Sequence, residues 1–502
     1  MTVTWSWNVE MYLSGAWTSV SADVRSFDHD IVATHGIDGN DVESRVAAPG
    51  TITFYMDNSE ANSAGLLGYY SPDHANCRTD FARGTLARIS LTSAGSTRYL
   101  MRGKIDEIEP IPGQFGKRET MVQCVDFMQE LVDHKLAGIP VQTGKRPDQL
   151  VSTILANMAN SATNTSIATD TVTLSYALHS ERDEKSTAMS AMQKVCMTAL
   201  GYFFVSGDAT AGETATYQMR HTRSSAALAA TFSDTMSELR VVRSGKKMSN
   251  KVVAATHPAQ IDSGANTLLA TLVNEFQLDG GAIETITLRL RDPSGASARV
   301  SGFNFVTPLV ADTHFKMSSA SGDSGNDLNS NLALTLSAGG NTVEIELENT
   351  GVTRGYINKL DILGDGIYLY DPLEIVIESG SADKSLNYDF YYQDDYYVGK
   401  DFATAVHGRV SFEVSEVSGF AYFADADSTL MSYALTIDIG SRIMLSETAT
   451  GISDEYFVNQ VTWRILKDGR LKVEYLLEPA SVVSFFVLDT DQLDDTGVKL
   501  AF

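Results

Sequence analysis

From Thr2 to about Asp133 the chain alternates apolar and polar residues in short runs broken by turn formers, a pattern that directs this region to a small β-barrel or sandwich. The runs span Trp5 to Leu13, Thr51 to Met56, Ala87 to Thr92, Arg98 to Ile108 and Thr120 to Val125. Successive strand side chains point to opposite faces, so each run buries one face and wets the other. Pro49-Gly50 and Pro110 to Gly113 supply turn chemistry between runs. Gly103, mid-run between Arg102 and Lys104, marks a bend or bulge. Asp126 is placed to cap a helix from Asp126 to Lys135 in which Phe127, Leu131 and the Lys135 stem share a face.

Between Arg146 and His221 the period changes. Helical spacing runs from Pro147 to Met158 behind a first-turn proline, and again from Thr187 to Leu200, with Gly201 as its stop. Met189 and Met192 in the second helix read as adaptable core packing rather than a cofactor face. Tyr202 to Val205 and Thr216 to His221 form a hairpin around Gly207, Asp208 and Gly212, which makes an α+β module. Further on, Thr285 to Leu290, Leu332 to Ser337, Thr342 to Leu347 and Tyr356 to Leu363 alternate again and predict a β-sandwich. Asp401 is positioned to cap a helix carrying Phe402, Ala405 and Val406, and Asp438 to Gly440 ends a strand before Arg442 to Leu445. Tyr456 to Val461 and Leu471 to Leu477 form a hairpin whose Asp468-Gly469 is a type I′ signal. The last twenty residues, with acidic residues from Asp489 to Asp495, read as a solvated tail.

At roughly 150 residues per domain, a chain of 502 residues holds three to four domains. The 63 acidic against 38 basic residues give a net charge of −25, which repels a phosphate backbone and argues against nucleic-acid binding. The same excess suits a wall past which DNA slides and suits plain solubility, and charge alone does not separate the two. Three widely spaced cysteines, Cys77, Cys124 and Cys196, argue against a disulfide framework and read as reduced core thiols. No window reaches the roughly 18 apolar residues of a membrane helix. The start lacks a basic segment followed by an apolar core, so folding in the cytoplasm without stable membrane insertion is expected.

Chemistry is sparse. His74 and Cys77 form an isolated HxxC lacking two further zinc ligands. The loop Gly322 to Asp327, centred on Asp323, crowds carboxylates as a calcium loop does but lacks the Glu at the twelfth position. Asp394 and Asp395, read as adjacent strand residues, point apart and cannot flank one glycosidic bond. With no nucleophile elbow, zinc-helix or phosphate-loop motif, the sequence assigns no catalytic residue, no metal and no cofactor, and predicts a structural protein rather than an enzyme.

One ordered set of segments is more specific. Tyr391 to Val410, then the TIDIGSRIMLSE stretch, then the run from Asp454 to Pro479, resemble the C-terminal part of the tail hub (minor tail or baseplate hub) proteins of long-tailed bacteriophages. Pro49, Gly50, Asp57 and Asn58, with the runs from Arg83 to Asp126, are similar to the N-terminal barrels of those hubs, and Thr231 to Arg243 with Ser249 to Ala255 to the strands that open their second barrel.

The resemblance implies a mainly β chain with two similar tail-tube-like barrels: one at 1–135, the other split into 231–274 and 387–482. Between them it places an α+β domain at 136–230, an inserted β-sandwich at 275–386 and a C-terminal tail at 483–502. It further implies a homotrimer at the distal end of the virion tail, assembled in the bacterial cytoplasm, that adapts a sixfold tube to a threefold spike or fibre. Its partners would be the distal tail or tail tube protein, the tape-measure protein and tip proteins, with DNA only in transit. Two other readings fit part of the pattern: a hexameric distal tail protein, and a carbohydrate-binding or hydrolytic host-surface module suggested by the tyrosines from Tyr388 to Tyr397, which packing explains equally.

Overall fold

The computed structural model describes residues 3–113, 117–136, 139–179, 186–243, 248–262, 267–291, 299–380, 384–411 and 415–480; the acidic run after Asp489 lies outside them. The alternating runs at the start form β1 (Trp5–Leu13), β2 (Ile31–Gly36), β3 (Ala48–Asp57), β4 (Leu86–Ser93), β5 (Ser96–Ile111) and β6 (Glu119–Val125). Each hides its apolar face, as with Ile52, Phe54 and Met56 of β3. β1 pairs β4, β4 pairs β5, β5 pairs β6, β6 pairs β3 and β3 pairs β2, all antiparallel. The bulge expected at Gly103 falls at Asp106, where the β5–β6 register shifts between Ile105 and Glu107.

A second set follows: β7 (Leu228–Ser233), β8 (Glu238–Arg243), β9 (Ser415–Phe423), β10 (Arg442–Glu447), β11 (Ile452–Ile465) and β12 (Leu471–Pro479). Here β7 pairs β10, β10 pairs β11, β11 pairs β12, β12 pairs β9 and β9 pairs β8. Numbered from one to six within each set, the lateral order is 1-4-5-6-3-2 in both. One pairing differs: β1 and β4 are antiparallel, whereas β7 and β10 are parallel. Even the bulge recurs, because the β11–β12 register shifts at Asn459 as the β5–β6 register does at Asp106. Neither set closes on itself by strand pairing among the described residues. Instead both belong to one sheet of 13 strands, over a common core that includes Phe54, Ile89 and Val122 from the first set and Phe232, Tyr422 and Trp463 from the second.

The α+β unit holds the helices Pro147–Asn157 and Ala188–Ala199 and the strands Tyr202–Ser206 and Thr214–Gln218. Two local expectations change here. Leu200, with φ 56°, ends the second helix in place of Gly201. The second strand stops at Gln218, and the chain turns into a short helix, Arg220–Ser224.

Other differences lie between β8 and β11. The strand Lys251–Thr256 stays out of the large sheet and pairs with Leu373–Glu378 and, in parallel, Ser385–Phe390. The helix Tyr396–Val410 covers this small sheet with Phe402, Ala403 and Val406. The chain therefore regains the large sheet at Ser415 rather than at Tyr391. The helix cap is Asp395, whose carboxylate accepts from Tyr397 N at 2.7 Å, and Asp401 lies exposed within the helix. Asp395→Ala should cost about 1 kcal/mol and Asp401→Ala less than about 0.5 kcal/mol. Thermal melts that rank the two the other way would return the cap to Asp401. Asp438 follows a helix, Ser428–Thr436, and not a strand. At the β11–β12 turn Gly469 has φ 81° and its N–H bonds Leu466 O at 2.8 Å, while Asp468 keeps an ordinary negative φ, so the turn is type I closed by a left-handed glycine rather than type I′.

The region within that excursion packs two sheets. The long strand Gly355–Leu369 carries five shorter strands, among them Thr267–Thr271 and Phe315–Ser318. Ile283–Arg289, Thr342–Asn349 and Leu332–Ala338 form the second sheet. Met317, Val343, Ile345, Leu347, Ile357 and Leu360 fill the space between. Among the described residues no helix is long and apolar enough to cross a membrane.

Candidate assembly site: the joint between the repeated halves

The two strand sets meet where β2 lies antiparallel to β11, from Ile31 opposite Ile465 to Gly36 opposite Gln460. β11 is long enough to serve two neighbours on one edge: β10 pairs its start, Ile452 to Phe457, and β2 pairs its end. The bulge at Asn459 marks the changeover. Gly36 sits against it with φ +131°, and a Cβ there would lie 2.4 Å from Asn459 O. Ile37 N donates to the same oxygen at 2.7 Å. Only glycine meets both demands.

Buried polar groups tie the joint to the α+β unit. Asn459 donates through Nδ2 to Gly39 O at 2.9 Å and accepts through Oδ1 from Arg223 Nη1 at 2.7 Å. Arg223, fully buried, also pairs with Glu478 at 2.9 Å and lies 3.5 Å from the centre of the Tyr202 ring. Burial, and then the Glu478 charge, push the Tyr202 hydroxyl up in pKa, so it stays a donor to Glu478 at 3.2 Å.

A second knot gathers on Asp438, which takes His35 Nε2 at 3.0 Å, Gly207 N at 3.0 Å and the Arg98 guanidinium. Burial works against this carboxylate, yet the His35 and Arg98 charges and the bonds from His35 and Ile439 N hold it below the usual range. The Trp463 ring meets His35 edge-on at 5.1 Å. This arrangement locks three parts of the chain in fixed relation.

The residues singled out for chemistry lie apart from this joint. His74 accepts from Asn76 N, and Cys77 packs against the first half of the core, its thiol pushed up by burial and then by Asp73. Asp323 pairs with Lys316, and Asp327 accepts from Asn329 N, so both carboxylates are engaged within the loop. Asp394 and Asp395 precede a helix rather than lying on a strand, so the strand geometry does not apply. Among the described residues no group of three or more His, Cys, Asp and Glu could hold a metal ion. A cleft of about 350 Å³ between β5 and the helix Phe127–Asp133 has charged walls that pair with each other, as Lys104 does with Glu130 and Arg102 with Glu213. Of the tyrosines from Tyr388 to Tyr397, Tyr388 packs edge-on against Phe402 and Tyr392 against His179.

Sequence reasoning missed Gly36, Arg223, Asn459 and Glu478, because their contacts join residues more than 200 positions apart, 236 in the case of Arg223 and Asn459. One signal was present: Asn459 and Gln460 place two amides within the otherwise apolar run from Tyr456 to Val461.

The fold built on this doubled six-strand set is similar to that of solved phage tail proteins. The chain is similar to the 43 kDa tail protein of prophage MuSo2 from Shewanella oneidensis, with a TM-score of 0.50 and 9% identity over 95% of this chain and 99% of that one. It also aligns with the tail protein from Neisseria meningitidis MC58, at TM-score 0.49 and 9% identity, over 95% and 97% of the two chains. No protein-family profile and no curated protein matches the sequence.

Proposed function

We propose that this chain is a structural component of a phage tail, a trimeric hub at the distal end that adapts a sixfold tail tube to threefold tip proteins and surrounds the path of the DNA. The observation that carries the reading is the recurrence of the 1-4-5-6-3-2 strand order within one polypeptide, joined edge to edge at β2 and β11. Two equivalent sets per chain turn three subunits into six similar units, which face a sixfold ring on one side and a threefold spike on the other. The fold shared with the prophage tail protein supports the same place. A hexameric distal tail protein needs one set per chain, and the doubling argues against it. The partners are then the tail tube or distal tail protein, the tape-measure protein and the tip proteins.

The copy number decides. Native mass spectrometry of the full chain and averaged images of tail tips should give three copies in a ring of six similar lobes. Six copies, or a single copy at every concentration, would overturn the reading.

A further inference from the structure

The repeat also specifies how one subunit meets the next. Within the chain, the second strand of the first set, β2, pairs with the fifth strand of the second set, β11, beyond its bulge. The complementary pair is left open among the described residues: β8, second strand of the second set, pairs only β9, and β5 beyond its bulge pairs only β6 because β4 ends opposite Lys104. We infer that β8 of one subunit lies against the stretch Asp106 to Ile111 of the next, repeating the internal joint between molecules. This rests on the trimeric ring reading.

Three observations select a second copy as the occupant. The first is burial. At the internal joint Val32, Thr34 and Gln460 are half-buried and Thr462 is buried, whereas at the open edges their counterparts Arg240, Glu107 and Glu109 are exposed and Val242 is 51% exposed. The second is charge, since β8 offers Arg240 while the β5 edge offers Glu107 and Glu109, Asp106 being paired with Arg83. The third is register. Aligning the sets through their bulges and shared pairings makes Val32 equivalent to Arg240, Thr462 to Glu109 and Arg464 to Ile111, and counting two residues along the strand, past the β8–β9 register shift at Ser418, matches Thr34 to Val242.

Val242 then stands opposite Glu109, with Arg240 on the same face diagonally across from that carboxylate. Pro110, Glu107 and Glu109 guard the β5 edge against arbitrary strands, and a strand presenting Arg240 is the one admitted. The contact is head-to-tail and closes after three chains.

The test is a charge swap in the full chain, read as trimer dissociation by analytical ultracentrifugation, with circular dichroism confirming that each variant folds. Arg240→Glu and Glu109→Arg should each weaken the trimer about tenfold or more, and the double variant should recover most of that loss. Single variants that associate like the parent trimer would overturn the edge assignment and leave the ring reading standing. A parent chain that forms no trimer would overturn both.

Discussion

Arg223→Met should lower the unfolding free energy by about 3–5 kcal/mol, the range for leaving one member of a buried ion pair without its partner. The size follows from what the substitution strands: Glu478 and the Asn459 oxygen both lie in the interior, and Arg223 serves both. Urea unfolding followed by tryptophan fluorescence reads the loss. Adding Glu478→Leu should return much of it, because an apolar pair of similar volume removes the uncompensated charge. A loss below about 1 kcal/mol would place the pair with exposed ion pairs and undo the argument that it fastens the joint.

Gly36→Ala comes next, at about 3 kcal/mol or more, because the new methyl meets Asn459 O while the backbone is held where side chains are strained. Gly95→Ala is the matched comparison: its φ is also positive, at +81°, but its Cβ would meet open space. That change should cost about 1 kcal/mol. Amide exchange sharpens the test, since Gly36→Ala should expose the Ile37 amide while leaving β4 protected. Equal costs for the two glycines would mean that the contact with β11 does not matter.

What the sequence made legible was local. Strand runs such as Trp5 to Leu13 follow from side-chain alternation alone, and the helix behind Asp126 follows from a cap and an apolar face, Asp126 accepting from Met128 N at 2.9 Å. The errors arose where a local signal had two outlets. Asp395 and Asp401 can both cap, and it is the packing of Phe402, Ala403 and Val406 on Val252 and Ile375 that settles where the helix begins. The stretch before Arg442 alternates like a strand, yet the buried contacts of Asp438 hold it as a turn. The joint itself was out of reach, because Gly36 and Asn459 acquire meaning only once distant strands lie side by side.

The two-sheet unit between β8 and β9 draws its core from its own strands, from Leu269 to Ile362. Apart from Ile367 at the far end of its long strand, which packs into the core of the α+β unit with Phe303 and Leu369 beside it, the scaffold does not depend on the identity of that unit's interior side chains. That unit can be redrawn or replaced while the frame keeps its shape, so sequence should drift fastest there and slowest around Arg223 and Asn459.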